Sequence, residues 1–345
     1  MGFSINKIIH IFSRYLLIHS VLFSLAACSS PESSRTELVF GGVVCTITLF
    51  EQGRNSVYRD IFSRLREIEN LMSVNIPSSD VSRINAAAGV EPVQVHDDVF
   101  KVIERALYYA QLSGGAFDPL IGPLVSLWGI DSDSERVPSQ AEIDEVLPLI
   151  NRQDIELEPQ TKSVYLKNKG MSLDLGAIAK GYAADEAAVI IKKVNIDRAI
   201  IDLSGNILIL GEKKDKSLWK VGVQDPGGNR GSYMGILQTT EKTIVTSGVY
   251  ERFFEEDGIR YHHIFSPSDG FPVNNGLLSV TIIAHNSMNA DALSTAVFVL
   301  GYDKGKELVE ALPETEAIFI FEDRSVRKTA GVNFTVTDNS YRLMD

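Results

Sequence analysis

The sequence predicts an α+β fold with mixed, mainly antiparallel sheets and flanking helices. Strand-like and helix-like segments follow one another without the regular alternation that a doubly wound parallel sheet requires. The 345 residues are 44% hydrophobic and 23% charged, which is typical of a globular protein with a sizeable core. We find no solenoid repeat or low-complexity tract in the sequence.

Apolar residues at intervals of three and four predict the helices. The segment 57–72 repeats them most regularly, and 97–112 is expected to be capped by Asp97 and ended by Ser113-Gly114-Gly115. A short segment at 78–85 follows the first helix, and another short helix opens at Pro138. Three further helices are predicted at 177–193, 289–301 and 305–312.

Runs rich in β-branched residues predict the strands. The segment 199–210 is interpreted as a pair of strands broken at Gly205. The other predicted strands are 38–50, 163–166, 171–175, 219–223, 234–237, 243–245 and 278–283.

The N-terminus has the pattern of an export signal. Lys7 and Arg14 precede an apolar run at 15–25, which is shorter than the roughly 20 residues of a membrane span. Leu25-Ala26-Ala27-Cys28 resembles a bacterial lipobox, so 1–27 is predicted to be a lipoprotein signal peptide and Cys28 the lipidation site. The less favoured alternative is an uncleaved membrane anchor. Residues 28–37 are expected to be a flexible tether and 38–345 the folded domain.

The net charge and the cysteine content limit the ligands and partners that the sequence predicts. The formal net charge is −12, and removal of Lys7 and Arg14 with the signal peptide would give −14. Without a basic patch, nucleic acid is not expected as a partner. An anionic ligand would need a metal ion, a lysine or helix N-termini. The only other cysteine, Cys45, is expected in the core, so no disulfide framework is predicted.

Two glycine-containing turns are candidate ligand sites. In Ser113-Gly114-Gly115-Ala116-Phe117-Asp118, an aromatic ring adjoins a carboxylate where the glycines allow a close backbone approach. In Asp174-Leu175-Gly176-Ala177-Ile178-Ala179-Lys180, a helix start and a lysine could attract phosphate. Each has an ordinary alternative: a helix exit in the first case, and a cap with a surface lysine in the second.

Two later segments carry possible acid–base and metal chemistry. Thr246-Ser247 precedes the vicinal pair His262-His263, whose side chains point to opposite faces of a strand, so one at most enters a given site. Such a histidine is either structural or a general base. Asp291 and Thr295 share one helical face and offer hard oxygen ligands suited to Mg²⁺. Alternatively, Asp291 only favours the helix dipole.

Taken in this order, the four motifs resemble the ApbE family of FAD:protein FMN transferases, from about residue 40 to residue 330. The resemblance implies an ApbE-like, T-fold-related architecture with a catalytic domain at 38–345. It implies that FAD, as substrate, contacts residues along the whole chain, namely Gly41, Asn75, Ala116, Phe117, Asp118, Asp174, Lys180, Thr246, Ser247 and Ile264. It further implies that the Ala177 carbonyl, Asp291 and Thr295 bind Mg²⁺. The catalytic residues that it implies are His263, as general base, and Asp291.

The family transfers FMN from FAD to a threonine or serine hydroxyl of a partner protein and releases AMP. The resemblance therefore implies acceptor proteins in membrane redox complexes, such as Rnf- or Nqr-type subunits, and a lipid-anchored protein on the periplasmic side, most simply of the inner membrane. A non-catalytic flavin-binding lipoprotein is the alternative from another functional class.

One departure from the family pattern concerns the segment after the first long helix. The family has Met-Ser-x-Tyr there, whereas this chain has Met72-Ser73-Val74-Asn75. Loss of an aromatic stacking face would cost about 1 kcal/mol or more. The family's Met-Gly also appears as Gly41-Gly42. We therefore expect FAD to be held less tightly, with hydrolysis of FAD to FMN and AMP besides, or instead of, transfer.

Overall fold

A nine-stranded sheet forms the centre of the fold. The computed structural model describes residues 33–51, 55–229 and 231–344. All neighbouring strands of the sheet are antiparallel except the last pair, which is parallel. In spatial order they are β1 (Ser33–Val39), β2 (Val43–Leu49), β6 (Ala199–Asp202), β7 (Asn206–Leu210), β10 (Thr243–Gly248), β13 (Leu277–Ala284), β14 (Glu316–Phe321), β15 (Ser325–Lys328) and β17 (Arg342–Leu343).

Three smaller sheets surround the central one in the described part of the chain. One has three strands, β16 (Phe334–Val336), β9 (Tyr233–Thr239) and β8 (Trp219–Gln224). Another three-stranded sheet consists of β3 (Val93–Gln94), β5 (Ser163–Leu166) and β4 (Ile155–Glu158). The remaining two strands form a hairpin, β11 (Phe253–Glu256) and β12 (Ile259–His262).

Seven α-helices lie in the described residues, and they confirm the α+β class. In chain order they are α1 (Asn55–Met72), α2 (Asp80–Ala86), α3 (Asp97–Leu112), α4 (Gly122–Trp128), α5 (Gln140–Val146), α6 (Ala179–Lys193) and α7 (Ser287–Glu310). None of the helices described here is long and apolar enough to span a lipid bilayer.

The central sheet separates two apolar layers because successive side chains of a strand point to opposite faces. Leu208, Val245 and Ile282 lie in the core shared with the helices. Their neighbours Ile209 and Ile244 lie in the core beneath the β8–β9–β16 sheet. The apolar residues of β7 and β10 are therefore buried on both faces of the sheet. This burial keeps the polar ends of these strands, together with that of α7, at one rim of the sheet.

Helices α6 and α7 are locked together at their N-terminal ends. Asp185 of α6 accepts hydrogen bonds from the Ser287 and Met288 N–H groups, both at 3.0 Å, and so occupies the start of α7. In return, Asp291 of α7 accepts one from the Gly181 N–H at 2.8 Å. A Cβ atom at Gly181 would overlap the Ser287 carbonyl oxygen, so glycine permits this close approach.

Several predicted boundaries need correction. The sheet begins at Ser33 rather than at residue 38, because 33–37 of the expected tether pair with β2. The cap of α3 is His96, whose Nδ1 accepts from the Asp98 N–H, while Asp97 is the first helical residue. The break predicted between the helices 289–301 and 305–312 is confirmed, because non-helical angles at Gly301 divide α7 into two helical segments.

The predicted strand at 171–175 is also wrong. Its backbone bonds to Asn85, which donates to the Leu173 carbonyl at 3.0 Å and accepts from the Leu173 N–H at 2.7 Å. The Asp174 N–H donates to the Pro119 carbonyl at 2.8 Å. These partners are side chains and loops, so the segment is extended without belonging to a sheet. The predicted signal peptide and Cys28 lie outside the described residues.

We predict that Gly181→Ala destabilises the protein by about 1–3 kcal/mol, because the added methyl group must push α6 and α7 apart. The free energy of unfolding from urea titration measures this. Gly227→Ala is the matched control, since its Cβ would have an ordinary contact at 3.6 Å in an exposed loop. Equal stability of the Gly181 variant and wild type would contradict the helix interlock.

Candidate active site

A cavity of about 540 Å³ opens at the rim where the central sheet meets α6 and α7. The β1–β2 turn, the end of α1, the segment after α3 and the loop after β12 complete its wall. All fourteen residues that the sequence suggested for ligand binding, metal binding and catalysis line it, namely Gly41, Asn75, Ala116, Phe117, Asp118, Asp174, Ala177, Lys180, Thr246, Ser247, His263, Ile264, Asp291 and Thr295. The structure therefore brings four distant motifs together, while their individual roles stay predictions.

The segment after α3 presents an aromatic ring and a carboxylate at the cavity wall. The Phe117 N–H donates to the Ser113 hydroxyl at 3.1 Å, which fixes the turn. Asp118 accepts from the Leu120 N–H at 2.9 Å, and Arg152 lies 3.6 Å from its other oxygen. Burial raises the pKa of Asp118 despite these contacts. A carboxylate at the cavity wall can accept a hydrogen bond from an N–H group on the polar edge of a ring.

The start of α6 differs from the open phosphate-binding helix end suggested by the sequence. The Ile178 and Ala179 N–H groups donate to the Leu175 carbonyl, and the Gly181 N–H donates to Asp291. Asp174 accepts from the Gly176 N–H at 2.7 Å, as a turn cap does. Most backbone donors here are thus already used, and positive charge for an anion comes instead from a side chain of the same segment.

Lys180 is one of two cationic side chains that line the cavity. Its ammonium group lies 3.8 Å from Asp291 Oδ1 and 3.5 Å from the Gly176 carbonyl oxygen. The 3.8 Å separation is too long for a hydrogen bond, so Oδ1 keeps acceptor capacity while Oδ2 is held by Gly181.

The residues suggested as metal ligands fit a magnesium ion that shares its coordination with a ligand. No group of three or more His, Cys, Asp or Glu residues suited to a metal occurs in the described residues. Ala177, Asp291 and Thr295 instead offer a carbonyl, a buried carboxylate and a hydroxyl on one cavity. Mg²⁺ commonly takes one or two protein carboxylates and completes its shell with water and substrate phosphates. This oxygen set is consistent with that mode.

Two side chains of β10 form hydroxyl-to-hydroxyl contacts near the suggested metal ligands. The Ser247 hydroxyl lies 2.8 Å from the Ser294 hydroxyl and 3.3 Å from that of Thr295. The Thr246 hydroxyl pairs with that of Thr281 at 2.8 Å. Hydroxyl-to-hydroxyl contacts fix the position of Thr295 relative to β10 while leaving each oxygen a further lone pair.

The cavity wall is acidic. Its carboxylates outnumber its cationic side chains by six to two, the former being Glu69, Asp118, Asp131, Asp174, Glu251 and Asp291 and the latter Lys180 and Arg252. A doubly charged ligand such as a pyrophosphate would be repelled by such a wall in the absence of a bound cation. The acidic wall is therefore compatible with a bound cation that accompanies an anionic ligand.

The two adjacent histidines have different surroundings. His262 is structural: its Nε2 bonds to the Val273 carbonyl at 2.9 Å and its Nδ1 to the Ile264 N–H at 3.2 Å. His263 lines the cavity, and its Nδ1 bonds to the Arg252 carbonyl at 3.1 Å. A carbonyl only accepts, so Nδ1 carries the proton and Nε2 keeps its lone pair.

Burial and the nearby Arg252 cation hold the pKa of His263 well below its usual value of 6.5. Its neighbours His262 and Lys180 act in the same direction. The imidazole is therefore neutral at pH 7 with Nε2 unprotonated, which is the state that a general base requires.

The β1–β2 turn forms the cavity's outer edge. The Gly41 N–H donates to Glu69 at 2.6 Å, and a side chain at Gly41 would meet nothing within 4 Å. Asn75 is exposed just beyond α1, and its N–H donates to the Ser73 hydroxyl at 3.2 Å. At this position the cavity edge therefore carries an exposed amide side chain rather than an aromatic ring.

Sequence reasoning missed several cavity residues, above all Arg252 and Asn206. Asn206 directly follows the break recognised at Gly205, and it is the polar start of the otherwise apolar strand β7. That isolated polar residue was an available signal. No comparable sequence signal marks Arg252, because its position depends on the β11–β12 hairpin, which the sequence did not predict.

The fold and this cavity define a flavin transferase-like α+β protein, and the chain belongs to the ApbE family, whose sequence pattern matches residues 42–319. Two relatives named FAD:protein FMN transferase are similar to it. The protein from Treponema pallidum is 37% identical, over 93% of this chain and 94% of its own length. The one from Klebsiella pneumoniae is 38% identical, over 83% and 89%.

Solved structures agree with this membership. The crystal structure of the ApbE protein from Thermotoga maritima superposes with a TM-score of 0.80 and 32% identity, over 87% of this chain and 97% of that one. Flavin transferase ApbE from Vibrio cholerae has a TM-score of 0.74 and 26% identity, over 90% and 99%. The predicted resemblance is thereby confirmed.

We predict that the His263 ring stays neutral, with its proton on Nδ1, as the pH falls through 6.5. The unfolded chain binds that proton near pH 6.5 and the folded chain does not, so the free energy of unfolding decreases as the pH falls further. Nitrogen-15 NMR of the imidazole reports the tautomer and its titration. In His263→Gln, this part of the pH dependence of stability should vanish. Titration of His263 at or above 6.5 would refute the assignment.

Proposed function

We propose that this protein is a Mg²⁺-dependent FAD:protein FMN transferase that cleaves the FAD pyrophosphate. The observation that carries the proposal is the convergence of Lys180, Asp291, Thr295 and His263 on one acidic cavity in a chain of the ApbE family. The names of its relatives supply the substrate class. The direct test is mass spectrometry of a candidate acceptor protein co-expressed with the enzyme, searching for FMN linked through a phosphodiester.

The proposed reaction exchanges one P–O bond for another. The acceptor's threonine or serine oxygen bonds to the FMN phosphorus, and the bond from that phosphorus to the bridging oxygen breaks, which releases AMP. Mg²⁺ bound by Ala177, Asp291 and Thr295 would offset the charge of the phosphate oxygens. Lys180, fixed near Asp291 Oδ1, adds a second positive charge on the same side of the cavity.

His263 is the proposed base. Its free Nε2 takes the proton of the incoming hydroxyl, while Nδ1–H stays bonded to the Arg252 carbonyl. This bond fixes the ring orientation, and the depressed pKa keeps the base unprotonated at neutral pH. Proton removal of this kind typically contributes a factor of about 10²–10⁴ to the rate.

Hydrolysis is a second candidate activity, and the exposed Asn75 favours it. Because the cavity edge lacks an aromatic ring at this position, water can reach the FMN phosphorus beside His263 in place of a protein hydroxyl. The products are then free FMN and AMP. The two activities use the same groups and differ only in the nucleophile.

A flavin-binding lipoprotein without catalysis remains the alternative function. Incubation with FAD and Mg²⁺, with and without a candidate acceptor, followed by chromatography, separates the two. Disappearance of FAD with formation of AMP supports the enzyme. Unchanged FAD in both incubations supports the binder.

We further propose that the protein acts outside the cytoplasm, anchored by lipid on Cys28 at the periplasmic face of the inner membrane. The lipobox-like sequence supports this. Subunits of Rnf- or Nqr-type redox complexes are the proposed acceptors. Mass spectrometry of the N-terminal peptide, searching for an acylated Cys28, tests the anchor.

We predict that Asp291→Ala lowers kcat/KM for FAD cleavage by more than about 100-fold and removes its Mg²⁺ dependence, because an essential metal ligand is lost. AMP release against Mg²⁺ concentration measures both. Asp303→Ala is the matched control, since Asp303 is an exposed carboxylate on the same helix. Retained metal-dependent activity in the Asp291 variant would overturn the ligand assignment.

We predict that Asn75→Tyr slows FAD hydrolysis in the absence of acceptor and lowers KM for FAD about fivefold or more, as one stacking contact is restored. Release of FMN and AMP, measured by chromatography, gives both parameters. Asn229→Tyr, at an exposed loop far along the chain, is the control. Hydrolysis as fast as in wild type would show that Asn75 does not open the water route.

A further inference from the structure

Asn206 is a buried polar residue in the cavity wall that the mechanism above does not use. It is fully buried at the start of β7 and lines the cavity. Its side-chain Nδ2 has no hydrogen-bond partner among the described residues. Buried amide groups are nearly always paired, so an unpaired one in a ligand cavity indicates a partner that the ligand supplies.

Ser287 occupies one end of the Asn206 amide. The Ser287 hydroxyl donates to Asn206 Oδ1 at 2.7 Å, and the Thr243 hydroxyl lies 3.1 Å from that of Ser287 and 3.2 Å from the Ile207 carbonyl oxygen. Asn206, Thr243 and Ser287 are fully buried. The carbonyl end of the amide is therefore satisfied within the protein, and the remaining group is a pure donor.

The surroundings of Asn206 specify the ligand group. Its partner Ser287 lies four residues before Asp291 on α7, so the two share one helical face about 6 Å apart. In strand pairing, Asn206 lies opposite Val245, beside Thr246 of the cavity wall. Asn206 is thus joined through Ser287 to the helix that carries Asp291. A phosphate oxygen accepts without donating, so it would match the unpaired amino group.

We infer that Asn206 is a further substrate-binding residue, whose Nδ2 donates a hydrogen bond to a phosphate oxygen of FAD. The inference rests on the proposed function, because it takes FAD as the ligand. An uncharged donor serves this acidic cavity well: it contributes no charge that would repel the metal ion, and it distinguishes a dinucleotide from riboflavin, which lacks phosphate.

Asn206→Asp tests the donor most directly, because it keeps Oδ1 for Ser287 and replaces the amino group with an acceptor. We expect its dissociation constant for FAD to rise about tenfold or more, and that for riboflavin to change less than about twofold. Quenching of flavin fluorescence after rapid mixing, with Mg²⁺ present, gives both constants. Ser279→Ala, which removes a buried hydroxyl on β13 outside the cavity wall, should bind both flavins like wild type.

Asn206→Leu separates loss of the donor from the added charge of the aspartate variant. It also removes the acceptor of the Ser287 hydroxyl, so its unfolding midpoint is expected to fall. Riboflavin binding like that of wild type shows that the cavity is still formed, while FAD binding weakens. Unchanged FAD affinity in both variants, or equal weakening for FAD and riboflavin, would overturn the inference. If wild type neither binds nor consumes FAD, the proposed function itself fails, which is a separate outcome.

Discussion

The exchange of hydrogen bonds between α6 and α7 is the constraint on which the site depends. Asp185 fills the start of α7, and Asp291 accepts the Gly181 N–H of α6, so neither helix can shift without breaking bonds at the other. The glycine at 181 brings the two backbones into direct contact. Both Lys180 and Asp291 lie within this contact, and their charged groups are 3.8 Å apart.

The central sheet supplies the second half of the site through its register. Because Asn206 lies opposite Val245, the β6–β7 turn and the polar end of β10 reach the same rim. Ser247 then meets Ser294 and Thr295 of α7, and Ser287 meets Asn206. Hydrogen bonds between strands and α7 thus join the rim to the helix pair, and a one-residue slip would reverse every one of these side chains.

Much of this architecture could be predicted from the sequence, and the exceptions have physical causes. Local signals sufficed for α1 and for the break at Gly205, because apolar spacing and glycine act within a few residues. They failed for 171–175, where the extended backbone is held by Asn85, far away in the chain. The site motifs were recognised by family resemblance, while Asn206 and the bonded donors at the start of α6 depend on long-range packing.

The cavity combines two requirements that oppose each other. Carboxylates that attract a metal ion would, by proximity, also favour protonation of a histidine and disable it as a base. Here His263 is kept neutral by burial and by Arg252 and Lys180, while its Nδ1 proton is held by a backbone carbonyl. In the proposed mechanism the cations therefore serve twice, because they lower the pKa of His263 and would also attract the phosphates of FAD. An acidic wall and a neutral imidazole can then coexist within one cavity of about 540 Å³.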